Sequence, residues 1–513
     1  MILIVAVLVA AVAVWYYLVK PLSYWSDLGV KQIRPWLIFK SALNNFYRTM
    51  GDGEFVEYFY NLYPNERFIG MYNVTNPTLF IKDPELIKQF GVKDFDSFSD
   101  HIIRVDPDAD PIFSKNLLSL EGEKWKEMRN VLSPTFSSSK IKSIFLLMIE
   151  TAENFVNYLN TKDDDVIELE MKDAYRRFTN DVIATTAFGV KVDSLQNKQN
   201  TFYEMGKRLT NIGGVLITLR MFACQVLPKF SKFLGMKLFD ATATNYFSVV
   251  MNDTIKAREE KNIVRLDMVN HLLEARKKRS HQSSENRNLE GRSKPVMEFS
   301  NEDITAQAVL FFFGGFDTVS TALSFGSYEL ALNKDVQDKL RKEIRGAAKN
   351  GKIDYDTLQK MSYLDQFTSE ILRKWAPFPS TDRLCTKPYT LKLSDKKGDT
   401  ITLRKGDELL IPIHAIHRDP KYFPNPDKFD PERFSEENKD NIVPYTYLPF
   451  GFGPRICIGN RFALIEIKAL FSLMLLNYEI IPTKKTVIPP VLNEELQLSA
   501  KGGLWMGLKR IKS

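Results

Sequence analysis

Cysteine is scarce: three in 513 residues, at positions 224, 385 and 457, with no Cys-x-x-Cys spacing. That excludes a zinc framework and a disulfide-stapled fold, and fits a body facing a reducing compartment. Only five histidines occur, and none is paired at metal-ligand spacing. His414 and His417 are neighbours, but in a stretch that reads as strand and loop. Strong charge of one sign is missing too: a net charge of +7 without a basic stripe speaks against nucleic acid as a partner. Apolar residues are almost absent only from 274–294, where Arg276, Lys277, Lys278 and Arg279 precede Ser, Gln, Asn and Gly; this reads as an exposed loop between helices. What remains is an ordinary globular composition, 44% hydrophobic and 26% charged, able to bury a large core.

The chain opens on an unbroken apolar run at 2–19 that ends in Trp15, Tyr16 and Tyr17, with Lys20 behind it. Its eighteen residues are close to the roughly 20 that a bilayer crossing needs. No basic segment precedes it and no small-residue cleavage site follows, so it reads as a retained signal anchor. Lys20, Lys31, Arg34 and Lys40 favour a cytoplasmic C-terminal side. The expected organisation is an anchor at 1–19, a linker broken by Pro21 and Pro35 at 20–50, and one domain at 51–513. Asn73-Val74-Thr75 and Asn252-Asp253-Thr254 are glycosylation sequons, which a cytosolic domain leaves unmodified.

Alternation at 68–81 around Thr75-Asn76-Pro77 predicts a hairpin. Trp125 and Arg129 stand four apart on one helical face. Residues 145–273 read mostly helical. Ser300 and Asp303 have capping-box spacing, and the stretch from 304 to 332 is apolar nearly all round, which predicts a central buried helix. Within it lies Gly314-Gly315-Phe316-Asp317-Thr318. Two helical glycines cost roughly 1 kcal/mol each against alanine, so a spacing constraint keeps them. Thr318, four residues after Gly314, can bond back to that carbonyl. An amphipathic helix from Leu364 to Trp375 carries Glu370 and Arg373, and Pro431-Glu432-Arg433-Phe434 follows about sixty residues later. Short strands are expected at 389–412, and a last hairpin at 496–505. Finally, Phe450-Gly451-Phe452-Gly453-Pro454-Arg455-Ile456-Cys457-Ile458-Gly459 sets one cysteine in a glycine-rich bend just before a helix, where amide donors and the dipole favour thiolate.

The pattern Phe-x-x-Gly-x-Arg-x-Cys-x-Gly resembles the haem loop of the cytochrome P-450 monooxygenases, and the other motifs follow that family's order. The closest likeness is to microsomal insect members of detoxification type. The resemblance implies a mainly helical fold with small β-sheets, a single haem domain behind its anchor. It makes Cys457 the ligand of haem b, with Phe450, Gly453, Arg455 and Gly459 shaping the loop. Trp125, Arg129 and Arg383 would reach the haem propionates, and Gly314 and Gly315 would form the oxygen groove. Asp317 and Thr318 would relay protons. Glu370, Arg373 and Arg433 would form a structural triad. Phe113, Leu117, Phe311, Phe312, Pro379, Ser380, Thr381 and Leu498 would line a lipophilic pocket. Implied partners are O2, membrane lipid, an NADPH-dependent flavin reductase and cytochrome b5, the reductase docking near Lys124, Lys126, Arg129 and Lys468. The expected place is the endoplasmic reticulum membrane, with the domain facing the cytosol. A thiolate-haem isomerase or dehydratase that needs no reductase, or a non-catalytic haem or hydrophobic-ligand carrier, are the other classes; the acid-alcohol pair counts against both, and the anchor against the carrier.

Overall fold

The structure is a computed structural model that describes residues 4–5, 8–9, 12–13, 15–38, 51–103, 105–211, 213, 217, 219–220, 223–224, 228–287, 299–349, 351–393, 400–493 and 498–511. Among them the longer helices are α1 (Asp52–Leu62), α2 (Gly122–Leu132), α3 (Ser138–Asn160), α4 (Met171–Ile183), α5 (Thr201–Thr210), α6 (Ala241–Lys261), α7 (Met268–Arg287), α8 (Asn301–Leu332), α9 (Lys334–Ala347), α10 (Ser362–Lys374) and α11 (Asn460–Asn477). The strands are β1 (Phe68–Asn73), β2 (Asn76–Ile81), β3 (Val166–Glu170), β4 (Thr381–Leu384), β5 (Tyr389–Lys392), β6 (Thr400–Leu403), β7 (Glu408–Ile411), β8 (Tyr478–Pro482) and β9 (Trp505–Arg510). They form three small sheets, ordered β1-β2-β7-β4, β3-β9-β8 and β5-β6.

Helix α8 is the axis of the helical body. The Ser300 hydroxyl accepts from Asp303 N–H, and the Asp303 carboxylate accepts from Ser300 N–H at 2.8 Å, closing the predicted capping box. Because its sequence is apolar on most sides, α8 is wrapped by α4, α6, α10 and α11 rather than lying at the surface. It is also the one helix among the described residues long and apolar enough to cross a membrane, and 67% of its apolar window is buried in the protein. The expected anchor at 1–19 lies partly outside the described residues; its described side chains, among them Ile4, Leu8 and Trp15, are exposed.

A second apolar cluster joins the four-stranded sheet to the N-terminal segment. Trp25 is fully buried: its indole N–H donates to Met71 O at 2.9 Å, and its ring fills the space over Gly70 that a Cβ would need. Val30 and Ile33 are buried beside it. The linker expected over 20–50 is therefore, at 24–33, part of the folded body. Strands β1 and β2 make the predicted hairpin, paired Gly70 to Leu79, with Val74 at φ +59° in the turn, one step earlier than the sequence indicated. At its end the Asn73 amide donates to buried Glu408 at 3.2 Å, so this sequon asparagine is engaged in the fold.

Two expectations fail. The basic stretch from Glu274 continues α7 as far as Arg287, because Lys, Arg, Gln and Glu are good helix formers and nothing there breaks the helix. His414 and His417 lie in a short helix, Ile413–His417, rather than in strand and loop.

Candidate haem-thiolate site

The cysteine loop is seated by two glycines from different segments. At Gly453, φ +66°, a Cβ would stand 2.0 Å from Gly91 O; at Gly91 a Cβ would stand 1.9 Å from the Phe452 ring. Neither place tolerates a side chain, so the loop packs backbone to backbone on residues 89–93. Cys457 N–H donates to Phe450 O at 2.9 Å, closing the loop just ahead of α11. Burial pushes the Cys457 thiol up, while the Gly459 N–H and the nearby Arg129 oppose that shift. Dense surroundings and an exposed side chain go together only if the sulfur opens on an interior cleft.

Around this loop the cations divide into two kinds. Arg455 is spent on the protein: Nε donates to Ser99 O at 2.7 Å, Nη1 to Leu117 O at 3.2 Å and Nη2 to Leu120 O at 2.7 Å. Its guanidinium stands 4.2 Å from the centre of the Trp125 ring, with Asp100 at 3.5 Å, and burial lowers its pKa to about 9. Arg129 is the opposite case. Half-buried and near Cys457, its guanidinium makes no hydrogen bond or ion pair among the described residues. The Trp125 indole N–H has no partner there either, although the ring is buried. Arg383, 1% exposed, bonds Asp382 O at 2.6 Å and Phe452 O at 3.1 Å, but its Nε is buried without an acceptor. A buried donor without an acceptor is costly. Three unanswered donors around one thiol, of which Arg383 Nε is fully buried, suit a group with an anionic edge, and on that chemistry the residues fit a haem with its propionates. Sequence reasoning had no signal for His101, which stands 3.2 Å from Asp382 beside Arg383 and Arg455.

On α8 the adjacent glycines do different jobs. At Gly315 a Cβ would meet Ile183 of α4 at 2.9 Å, so this glycine permits close packing. Gly314 faces open space, with nothing within 4 Å of its would-be Cβ, and the Thr318 hydroxyl donates back to its carbonyl. Asp317 belongs to another side of the helix. It is buried, with Arg176 Nε at 2.6 Å and Lys172 Nζ at 3.1 Å. Burial pushes its carboxyl up, but the two cations outweigh it and hold the pKa below its ordinary value. Lys172 is itself pulled down by burial to about 8, and bonds Asp317 O, Ser320 Oγ and Thr321 Oγ1.

The pocket residues named from sequence are only partly brought together. Phe113 meets Phe239 at 5.0 Å, and Phe239 meets Phe313 of α8 at 5.4 Å. Phe311 lies against Phe136 at 5.3 Å. Phe312 goes elsewhere: fully buried, it stacks on Phe316 and packs against Phe247 at 4.8 Å. One step of a helix rotates a side chain by about 100°, and that separates Phe312 from Phe313. Leu498 N–H donates to Pro377 O, and Leu498 O accepts from Thr321 Oγ1, both at 3.3 Å. Pro379, Ser380 and Thr381 lead into β4, with Pro379 O accepting His414 N–H at 2.9 Å.

Below the loop the charged residues close on one another. Both Glu370 oxygens accept from Arg373, at 2.7 and 2.8 Å, and neither side chain is exposed. Arg433 Nε stands 3.4 Å from the same carboxylate. Arg373 also donates to His417 O and Pro426 O. His417 Nε2 accepts Leu448 N–H at 2.8 Å, so the proton sits on Nδ1, which faces Arg373 O at 3.0 Å. Lys468 has to leave the expected docking face: it is 3% exposed and bonded to Asp365 at 2.6 Å.

The family model for cytochrome P450 matches residues 33–505. The chain belongs to the cytochrome P450 family. It is 44% identical to cytochrome P450 9e2 of Blattella germanica over 468 residues, covering 88% of this chain and 87% of that one. It is 40% identical to probable cytochrome P450 9f2 of Drosophila melanogaster over 499 residues, 95% of each chain, and 36% identical to cytochrome P450 6k1 of Blattella germanica over 497. As a cytochrome P450 it is a haem monooxygenase, and the family implies the thiolate-ligated haem for which the loop's donor set is suited.

Proposed function

We propose that the chain is an anchored monooxygenase of the endoplasmic reticulum membrane, facing the cytosol. It places one atom of O2 into a lipophilic small molecule, xenobiotic or endogenous, and draws electrons from NADPH through a flavin reductase, with cytochrome b5 as a second donor. The observation that carries this is the open Cys457 ringed by unanswered donors, together with Gly314 and the Thr318 hydroxyl on the open side of α8. Cys457 would hold the iron, and Trp125, Arg129 and Arg383 would hold the propionates. When bound, haem supplies thiolate-supported activation of dioxygen. Thr318 keeps a proton at Oγ1 on the Gly314 carbonyl and can release it into the groove. For Asp317 to supply protons it has to give up Arg176 or Lys172, so those two cations control when the acid is free. Phe113, Phe239 and Phe313 give an apolar wall, in keeping with a lipophilic substrate. Lys124, exposed, and Lys126, half-buried and paired with Asp96 and Glu123, are the cations of α2 that an acidic reductase surface would meet.

The reduced protein with carbon monoxide should show the red-shifted Soret band of thiolate ligation, and Cys457→Ser should lose it. Cys224→Ser and Cys385→Ser should not. A panel of lipophilic compounds with reductase and NADPH, read by mass spectrometry, tests the reaction. Oxygenated product without reductase would exclude this electron route.

A further inference from the structure

One buried polar side chain of α8 takes no part in this chemistry. Gln307 is 0% exposed on a helix that is otherwise apolar there. A buried amide is tolerated only when its donor and acceptor are both answered. Both are: Oε1 accepts Leu117 N–H at 2.9 Å, and Nε2 donates to Lys115 O at 2.8 Å. The carbonyl of the same Leu117 accepts from Arg455 at 3.2 Å. The two polar groups of one peptide residue are thus held by buried side chains from the helix of Thr318 and from the loop of Cys457. Gln307 also stands eleven residues before Thr318, three turns away on the same face of α8. A few residues upstream, buried Asp110 ties the loop to a third element, accepting Phe113 N–H at 3.1 Å and Leu238 N–H at 3.2 Å. These bonds stand where the described residues of 99–120 have little regular structure of their own beyond the turn Pro111–Ser114.

We propose that Gln307 is a specificity-determining positioning residue: by clamping the backbone at Lys115 and Leu117 against α8, it fixes the wall that carries Phe113 and Leu117 over the substrate pocket. This rests on the pocket reading above. A clamped wall accepts ligands of one shape, whereas a released wall must be ordered again each time a bulky ligand binds. Small ligands of the iron do not reach it and are indifferent to the change.

Hydrogen exchange and azole binding on the full-length holoenzyme test this together. In the wild type the Leu117 amide should be among the slowly exchanging amides of residues 99–120. Gln307→Met keeps length and apolar volume but loses both bonds. It should speed Leu117 exchange at least tenfold and weaken clotrimazole binding, read by the shift of the Soret band, about fivefold or more. Imidazole binding should stay within about twofold. Gln307→Glu retains the acceptor for Leu117 N–H and loses the donor to Lys115 O, so it should fall between the two. Fast Leu117 exchange in the wild type would overturn the proposal without any variant. So would an unchanged clotrimazole-to-imidazole ratio in Gln307→Met with its carbon monoxide band intact. If Gln307→Met yields no haem protein, wild-type exchange and Gln307→Glu decide. A wild type without the carbon monoxide band overturns the haem-thiolate reading instead, and the exchange result still decides the clamp.

Discussion

Around Glu370 the charged groups answer one another. The carboxylate takes bonds from Arg373 and from Asp430 N–H and stands against Arg433, while Arg373 goes on to three backbone carbonyls. Around Cys457 and Gly314 the situation is reversed: the sulfur is open, the Arg129 guanidinium is unmatched among the described residues, and a glycine faces empty space on a helix otherwise wrapped in protein. Both regions are rich in the residue types that sequence motifs pick out. A side chain whose bonds are all used by the protein holds the fold, and one left with bonds to make is available to a cofactor or substrate. By that measure Arg455 and Asp317 belong with the first kind, although each lies in a motif of the second.

The largest effect should come from breaking the closed region. Glu370→Ala leaves Arg373 buried and partly unmatched, which costs about 3–5 kcal/mol, a large share of a domain's stability. The expected outcome is little or no haem-containing protein, measured as the yield of the carbon monoxide band per unit of expressed chain. Normal haem content with slow turnover would place Glu370 among the chemical residues and undo the comparison.

His417 ties this region to Leu448, just ahead of the cysteine loop, and it does so only as the neutral ring. Burial, then the Arg373 charge, depress its pKa to about 3. The unfolded chain takes up the proton near pH 6.5, and the folded chain resists it to much lower pH. The stability His417 contributes is therefore complete above pH 6.5 and is lost as pH falls from there toward 3. Between pH 7 and 5 the loss is about 2 kcal/mol. Urea unfolding at several pH values should show that slope in the wild type, and His417→Phe should flatten it. Equal slopes would mean that the ring titrates freely.

Much of this was legible beforehand, and the limits have a physical pattern. Ser300 with Asp303, the β1–β2 hairpin and the Glu370–Arg373 pair are local, so spacing alone places them. The cysteine loop was readable because its glycines record backbone contacts that a side chain would block. What spacing could not show were partners far along the chain. Lys172 and Arg176 reach Asp317 across about 140 residues, and Arg455 meets carbonyls more than 330 residues before it. Facing was lost the same way: Phe311, Phe312 and Phe313 are equivalent in composition, and only the orientation of α8 sends Phe312 into the core and Phe313 toward Phe239.

Asp317 sharpens the comparison because it sits on the boundary. Asp317→Asn leaves the largely enclosed Lys172, 12% exposed, without its counter-charge, and a hydrogen bond to a charged group is worth about 2 kcal/mol. The expected outcome is a stability loss of that size together with slower oxygen consumption. Lys172→Met should cost a similar amount, and the double variant less than the sum of the two, because they break one interaction. If Asp317→Asn slows oxygen consumption at unchanged stability, the acid is not held as the structure shows it.

The smallest effect on the fold, and the clearest on the chemistry, should come from Thr318. Among the described residues its hydroxyl bonds only to the Gly314 carbonyl of its own helix. Removing that bond costs little, and alanine is the better helix former by a few tenths of a kcal/mol, so Thr318→Ala should stay within about 0.5 kcal/mol of the wild type. Electron flow has no need of the hydroxyl, so NADPH and oxygen should be consumed at comparable rates. Proton delivery does need it, and a positioned general acid is worth at least about 100-fold; product per NADPH should fall by tenfold or more while hydrogen peroxide rises. The measurement is NADPH, oxygen, peroxide and product on one preparation. Ser320 is not a ready substitute: its hydroxyl donates to Phe316 O at 2.9 Å and accepts from Lys172, on the Asp317 side of α8. Unchanged coupling in Thr318→Ala would therefore mean that proton delivery runs through a group other than the Thr318 hydroxyl, and that the open side of α8 at Thr318 is shaped for dioxygen and substrate alone.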